Sequence, residues 1–189
     1  NGDGTFTEIT DDDIVNENAW SMGADWGDYD SDGDLDMFVT NFWHSSNWLY
    51  NNNGDGTFTK ITDGIIVNDS GYTPGTVYSN DADWGDYDSD GDLDLIVANL
   101  GSNFLYNNNG DGTFTKITDG DIVNHDAESY SADWGDYDND GDLDLYCSGL
   151  FTNNGLANWE DSETITISCP PEIEIADPDG DGSYTDGVS

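Results

Sequence analysis

Basic residues are almost missing from this chain of 189 residues. Lys60 and Lys116 face 42 acidic residues, which gives a formal net charge of −40 at pH 7. Because so negative a surface repels the phosphate backbone, the composition excludes nucleic acid as a partner. The sequence also lacks a run of 18 apolar residues and a basic segment followed by an apolar one. We therefore expect a chain that neither spans a membrane nor carries its own export signal.

Cysteine is nearly as scarce, with only Cys147 and Cys169. Two cysteines fit a disulfide in an oxidising compartment, although two buried free thiols would give the same sequence. We predict that they pair, and that the protein is extracellular or lies at the cell surface.

Aspartate is the residue in excess, since all but seven of the acidic residues are Asp. Asp favours turns and loops over strands and helices. A disordered tail or a salt-adapted surface would also be acidic, but 13% aromatic residues, including seven Trp, is too apolar for disorder. The composition therefore predicts a folded protein that needs cations.

Two sequence blocks alternate along most of the chain. The first, NGDGTFTEIT or NGDGTFTKIT, begins at Asn1, Asn53 and Asn109. The second, ADWGDYDSDGDLD or ADWGDYDNDGDLD, begins at residues 24, 82 and 132. Self-similarity at a period of about 50 residues indicates a repeat architecture.

Each repeat reads as a set of short strands. In the second unit we predict strands over 93–98, 104–106 and 113–118, and the Asn- and Gly-rich turn at 107–112 predicts that the last two form an antiparallel hairpin. Three to four short strands per unit are typical of a β-propeller blade. We therefore predict an all-β fold of about three propeller-like units over residues 1–150, followed by a divergent β tail or cap over 151–189.

The Asp-rich loops carry the chemistry. In the first loop, which begins at Asp28, acids occupy positions 1, 3, 5, 7 and 9, with Gly33 at position 6. Calcium takes six to eight oxygen ligands, and a loop that turns sharply at Gly can aim alternate side chains inward. The predicted ligands are Asp28, Asp30, Asp32, Asp34 and Asp36; Asp86, Asp88, Asp90, Asp92 and Asp94; and Asp136, Asp138, Asp140, Asp142 and Asp144.

An EF-hand does not explain these loops. Position 12 holds Val39, Val97 or Cys147 where an EF-hand has a bidentate Glu, and no amphipathic helix flanks the loop. Without a metal, several carboxylates so close together would repel one another. Calcium suits this donor set better than magnesium, which requires stricter octahedral geometry.

With the following LYNNNGDGTF, the segment DYDSDGDLD resembles the FG-GAP or VCBS repeat, which is related to the blades of integrin α-chain propellers. The motif DxDxDGxxD matches in all three copies, and the resemblance covers roughly residues 1–150. It implies propeller blades with calcium in the loop between two strands. It also implies that Asp34 and its equivalents bind calcium through their backbone carbonyls, whereas the other four acids of each loop bind through side chains. Such propellers usually have about seven blades, so three units would not close a ring alone.

Other residues have weaker alternative roles. Trp26, Trp84 and Trp134, each followed by a loop Tyr, recur in register, so we expect packing between units rather than ligand stacking. Trp43 and His44 lie in an insertion that is a candidate contact for a glycan or protein. The NGDG turns offer Asp3, Asp55 and Asp111 as weak ligands. A possible fourth calcium site is the DPDGDG segment, with Asp177, Asp179 and Asp181.

Two functional classes remain open. The first is a secreted adhesion or ligand-binding module that contacts a protein or carbohydrate. The second is a structural subunit whose open repeat edges pair between copies to build a filament or ring. We do not expect an enzyme, because His44 and His125 have no catalytic companions and the repeated acids are assigned to metal.

Overall fold

The computed structural model describes residues 2, 4–42, 46–68, 78–125, 127–153 and 155. Its first sheet contains β1 (Trp20–Gly27), β2 (Asp36–Phe42), β3 (Trp48–Asn52) and β4 (Phe58–Ile61), which pair antiparallel in chain order. Each Asp-rich segment is the loop between the first two strands of its unit.

The second and third sheets repeat this plan. The second contains β5 (Ser79–Gly85), β6 (Asp94–Gly101), β7 (Phe104–Asn108) and β8 (Phe114–Ile117), and the short strand β9 (Ala127–Glu128) pairs with β6. The third contains β10 (Asp133–Gly135), β11 (Asp144–Tyr146) and β12 (Leu150–Phe151). The predicted all-β fold of antiparallel repeats is confirmed, as is the hairpin, since β7 and β8 pair with Asn108 opposite Phe114.

The described residues contain three one-turn helices that were not predicted from the sequence. They are α1 (Asp13–Asn16), α2 (Ile65–Asn68) and α3 (Asp121–Asn124). In α2 the side chains of Ile66 and Val67 are buried, as are those of Ile122 and Val123 in α3. Four residues are too few for a helical periodicity to show in the sequence.

The hydrophobic core lies between the sheets. One buried cluster joins Tyr29 and Phe38 of the first unit to Trp84 and Leu95 of the second. The other joins Tyr87 and Ile96 of the second unit to residues of the third, among them Leu145 and Phe151. Each unit therefore completes its core with its neighbour, as expected for stacked repeats.

The predicted aromatic packing holds where two units meet. Trp84 is buried against Tyr29 of the first unit, with ring centroids 6.3 Å apart, and half-buried Trp134 stacks on Tyr87 at 5.9 Å. Trp26 departs from the expectation because about half of its surface is exposed. It belongs to the first unit, whose outer side packs on no other sheet of the described residues.

Several predictions fall outside the described residues. They concern the tail beyond residue 155 with its candidate site at Asp177, Asp179 and Asp181, the insertion at Trp43 and His44, and Asp3. Cys147 is buried and has no disulfide partner among the described residues. Because Cys169 is not described, their pairing remains a prediction, as does the domain boundary near residue 150. Among the helices of the described residues, none has the length and apolar character needed to cross a membrane.

Candidate metal sites

Each Asp-rich loop gathers three carboxylates. In each group, one carboxylate oxygen per residue lies within 4.8 Å of the others, a spacing that allows one cation to contact all three. The groups are Asp28, Asp30 and Asp32; Asp86, Asp88 and Asp90; and Asp136, Asp138 and Asp144. The structure thus brings together three of the five predicted acids in every loop.

The loop backbone turns twice through the left-handed region. Gly33, at position 6, has a φ of 96°, as the sequence predicted for a sharp turn. Ser31, at position 4, has a φ of 58°, and Ser89 and Asn139 repeat this conformation in the other loops. The second turn was not predicted, because Ser rarely adopts positive φ, although Asn at position 4 of the third loop is consistent with it.

Backbone amides orient the carboxylates. The Gly33 amide donates to Asp28 Oδ2 at 3.0 Å, and the Asp34 amide donates to Asp32 Oδ1 at 2.9 Å. The same two bonds recur in the second and third loops. Since each carboxylate has about four acceptor positions, these bonds fix the side chains and leave lone pairs for a cation.

One carboxylate oxygen of the first loop is placed as expected for a metal ligand. Asp28 Oδ1 is buried and has no hydrogen-bond partner within the part of the chain that the structure describes. Burying a charged oxygen without a hydrogen-bond partner lowers the stability of the fold by more than about 1–3 kcal/mol. A cation shared with Asp30 and Asp32 would remove that cost.

The acid at position 9 has a second role that the sequence did not reveal. Asp36 is fully buried, and its two oxygens accept from the Tyr29 amide at 3.2 Å and the Asn52 amide at 2.7 Å. Asp94 and Asp144 repeat both bonds. This residue therefore ties the metal loop to the turn after the third strand, and only in the third unit is it also a member of the carboxylate triad.

Burial changes the acidity of these position-9 residues. Desolvation raises the pKa of Asp36 to about 6 and that of Asp94 to about 7. The charges of nearby loop acids, Asp30 and Asp88 respectively, contribute to these raised pKa values, whereas the backbone hydrogen bonds oppose the shift. A bound cation would favour the charged form and counteract the burial.

The side chain at position 7 lies outside the triads. Asp34 Oδ2 lies 2.5 Å from where a Cβ on Gly54 would be, so this carboxylate packs against the NGDG turn. Asp92 and Asp142 approach Gly110 and Gly155 in the same way. This direction is compatible with the expected ligand role of the position-7 carbonyl, and it explains why glycine is needed in the turn. Asp140 completes the predicted set outside the third triad; its amide donates to Asp136 Oδ1 at 3.1 Å.

Asparagine side chains support the first two sites. Asn51 donates from Nδ2 to Asp30 Oδ2 at 2.8 Å, and Asn107 donates to Asp88 Oδ2 at 2.7 Å. The third unit has Thr152 at the equivalent position. Sequence reasoning missed this support, although the repeated NNN segment was a signal for it.

The two described acids of the NGDG turns, Asp55 and Asp111, are not part of the carboxylate triads. Asp55 is exposed, and its Oδ1 accepts from the Thr57 amide at 3.1 Å and the Thr57 hydroxyl at 2.6 Å. These bonds lower the pKa of Asp55, and bonds from Thr113 do the same for Asp111. Both residues stabilise their own turns.

Comparison with known proteins agrees with the repeat pattern. A family model described as an FG-GAP-like repeat matches residues 1–39, 28–97 and 86–147. A comparison with curated proteins gave no match. Among solved structures, that of an Agrocybe aegerita lectin, titled for its specific recognition of non-reducing terminal N-acetylglucosamine, matches at 21% identity and a TM-score of 0.43. The match covers 70% of this chain and 35% of that one, so the chain spans about a third of the lectin's length.

Proposed function

The chain belongs to the FG-GAP-like repeat family, and on that basis we propose that it is a secreted, calcium-binding β-repeat module that presents a surface to a protein or carbohydrate ligand. The observation that carries the metal part is the recurrence of a carboxylate triad at the same loop of three successive sheets, with the acids of positions 1 and 3 in every triad and a third acid from position 5 or 9. A merely acidic surface would not place its carboxylates so regularly.

The ions have a structural role in this proposal. Three side chains from each loop would hold calcium, with the position-7 carbonyl as a further oxygen donor. The loop joins the first two strands of its unit, so a cation there would relieve carboxylate repulsion where the sheet begins. Extracellular calcium sites bind with dissociation constants of about 0.1–1 mM, which fits a module that works in a calcium-rich exterior.

We propose binding rather than catalysis. The acids that could act in hydrolysis recur at equivalent positions in three loops, whereas an enzyme usually has a single catalytic pair of acids. His125 packs edge-on against Phe151, with ring centroids 5.4 Å apart, as a core side chain would. Loops on a rigid repeat scaffold commonly carry binding contacts, which favours the ligand-binding role.

A thermal melt in calcium, magnesium and EDTA, together with a calorimetric titration, tests the metal sites. At tenfold excess over the dissociation constant, each site contributes about 1.4 kcal/mol, so three contribute about 4 kcal/mol. We expect about three bound calcium ions and a melting temperature well above that in EDTA. Equal melting temperatures in all three solutions would contradict the proposal.

Single-site variants sharpen the test. Asp90→Ala should remove one bound ion and leave the others, whereas Asp63→Asn, at an exposed turn away from the triads, should change neither the ion count nor the melt. For the ligand role, the calcium-loaded protein should bind members of a glycan or extracellular-protein array, and binding should be lost in EDTA. Absence of any calcium-dependent binding partner would count against that role.

A further inference from the structure

The boundary between neighbouring units is built twice from the same contacts. A Cβ on Gly27 would lie 2.7 Å from the Trp84 ring, and a Cβ on Gly85 would lie 2.7 Å from the Trp134 ring. The Trp84 amide donates to Asp25 Oδ2 at 3.1 Å, and the Trp134 amide donates to Asp83 Oδ2 at 2.7 Å. Each boundary thus seats a Trp of the later unit on a Gly and an Asp of the earlier one.

A side-chain amide completes each boundary. Asn108 donates from Nδ2 to the Tyr29 carbonyl oxygen, and Asn153 donates to the Tyr87 carbonyl oxygen, both at 2.7 Å. At each boundary the later unit contributes what we call its leading face, and the earlier unit contributes its trailing face. In the first unit the leading face comprises Ala24, Trp26, Leu35 and Asn52. In the third unit the trailing face comprises Asp133, Gly135, Tyr137 and Tyr146.

The leading face of the first unit is exposed. Trp26 is 49% exposed, whereas its equivalent Trp84 is 8% exposed. Leu35 and Ala24 are also exposed, whereas Ala82 and Ala132, the equivalents of Ala24, are buried. The same side chains that pack on a neighbour in later units therefore meet solvent here.

The trailing face of the third unit is exposed in the complementary way. Tyr137 is 46% exposed, whereas its equivalent Tyr87 is 6% exposed. Tyr146 is also exposed, although Phe38 and Ile96 at the same position are fully buried. A Cβ on Gly135 would meet nothing within 4 Å among the described residues, so the seat for a Trp ring is open.

The segment of residues 4–10, which forms no strand in this structure, points to the same contact. Residues 4–10 match the sequence around β4 and β8 except that Glu8 replaces Lys60 or Lys116, yet Phe6 is 98% exposed and Ile9 is exposed, whereas Phe58 and Ile61 in β4 are half-buried. In the first sheet β4 pairs with β3, with Ile61 opposite Leu49 and Lys60 opposite Tyr50. The third sheet has β12 at the position of β3. The equivalent register places Ile9 opposite Leu150 and Glu8 opposite Phe151.

We propose that the leading face of one copy of this chain packs on the trailing face of a second copy, with residues 4–10 of the first copy added as a fourth strand beside β12 of the second. Trp26 then sits on Gly135, and its amide donates to Asp133. Because the two faces differ, the contact is head-to-tail and builds a ring or a filament. The charge of −40 on each copy opposes association, so salt and bound calcium strengthen it.

Light scattering in calcium at moderate salt, over a range of protein concentrations, tests the contact. We expect the wild type to form species larger than 20.6 kDa, and Trp26→Ala and Gly135→Val each to remain monomeric. The control Ile65→Ala, an exposed position on α2, should assemble like the wild type. A mixture of Trp26→Ala and Gly135→Val should form dimers and stop there, because each variant keeps one intact face.

A wild type that stays monomeric, or a Gly135→Val variant that assembles normally, would overturn the proposal. Circular dichroism checks that the variants fold, and Gly135→Val should keep the wild-type spectrum because its seat is open. If Gly135→Val instead lowers the melting temperature of a monomeric wild type, residues 156–189 cover this face and the proposal fails.

Cross-linking tests the register. Thr7 corresponds to Thr59, which pairs with Asn51, so Thr7 of one copy should lie opposite Thr152 of the other. A mixture of Thr7→Cys and Thr152→Cys chains should form a disulfide-linked heterodimer under mild oxidation. Glu8→Cys with Thr152→Cys is the matched control, because adjacent residues point to opposite faces of a strand. Equal yields from both mixtures would contradict the register.

Discussion

The side-chain amide of Asn108 lies 2.7 Å from the backbone carbonyl oxygen of Tyr29, a residue of the preceding unit's metal loop. The same amide group donates to the Leu93 carbonyl oxygen at 3.1 Å within its own unit. One buried Asn thus links two metal loops, and the contact recurs between Asn153 and Tyr87. A conformational change in one metal loop would therefore alter a hydrogen bond at the boundary with the next unit.

Asn108→Asp should destabilise the protein strongly. The substitution removes both amide donors and buries a carboxylate, so we expect a loss of about 2–4 kcal/mol in the free energy of unfolding. Urea denaturation in calcium measures it. Asn109→Asp is the matched control, since the Asn109 side chain is exposed and its described hydrogen bonds go to exposed side chains, those of Thr113 and Thr115. The cost of this control substitution should stay below about 1 kcal/mol. Equal costs would argue against the role of Asn108.

The amide that supports a triad should tune its affinity. Asn107→Thr removes the hydrogen bond to Asp88, so the second site should bind calcium about tenfold more weakly. Thr152→Asn should have the reverse effect on the third site. Calorimetric titration of both variants beside the wild type measures this, and unchanged affinities in both would show that the amides do not orient the ligands.

The metal-free protein should lose stability as the pH rises from about 4 to 6. Burial raises the pKa of Asp83 to about 6, and the adjacent Asp25 adds to the shift although the Trp134 amide opposes it. The unfolded value is about 3.9, so between these values the folded state holds a proton that the unfolded state has released. The free energy of unfolding therefore falls with rising pH across that window.

Asp83→Asn tests this cause, because Asn still offers an oxygen to the Trp134 amide but does not titrate. Thermal melts in EDTA from pH 4 to 8 should show a shallower slope for this variant. Asp121→Asn, at an exposed position, should keep the wild-type slope. A slope unchanged by Asp83→Asn would exclude the pair of Asp25 and Asp83 as its source.

Gly85→Ala should be costly and Gly135→Ala nearly neutral in the monomer. The new methyl group at position 85 would lie 2.7 Å from the Trp134 ring, and such overpacking costs about 1–3 kcal/mol. A methyl group at position 135 would have no atom of the described residues within 4 Å. Urea denaturation at low protein concentration compares the two, and similar costs at both positions would mean that the ring moves aside freely.

The disulfide between Cys147 and Cys169 remains a prediction that intact mass can decide. A closed loop of about twenty residues would stabilise the fold by about 3 kcal/mol in the chain-entropy model. Two thiols that alkylate in the denatured, unreduced protein would rule the bridge out.

The sequence predicted those features that each repeat encodes locally. Residue types at fixed short spacing predict the Asp loops, the glycine at position 6 and the hairpin that ends in β8. The recurrence of these patterns along the chain strengthens each prediction. The roles of Asp36 and Asp34 were harder to predict, because spacing indicates that an acid is present without showing where its side chain points. Asp36 binds two amides, and Asp34 packs on a turn about twenty residues away.

Contacts across the unit boundaries could not be predicted. Asn108 and Tyr29 are 79 residues apart, and neither local sequence indicates that the two residues are in contact. Likewise, the difference in exposure between Trp26 and Trp84 depends on what lies beside each unit, although their sequence contexts are the same. Such contacts are set by the rotation and offset between sheets, which only the folded chain defines.

The seating of a Trp on the glycine of the preceding unit has a consequence for how such a chain can change through evolution. Every unit carries both a Trp and a Gly at corresponding positions, so a duplicated or deleted unit would leave compatible neighbours on either side. Gene duplication could then lengthen or shorten the array by whole units without compensating substitutions. Divergence would instead be selected at the two ends, where a face meets solvent or another molecule.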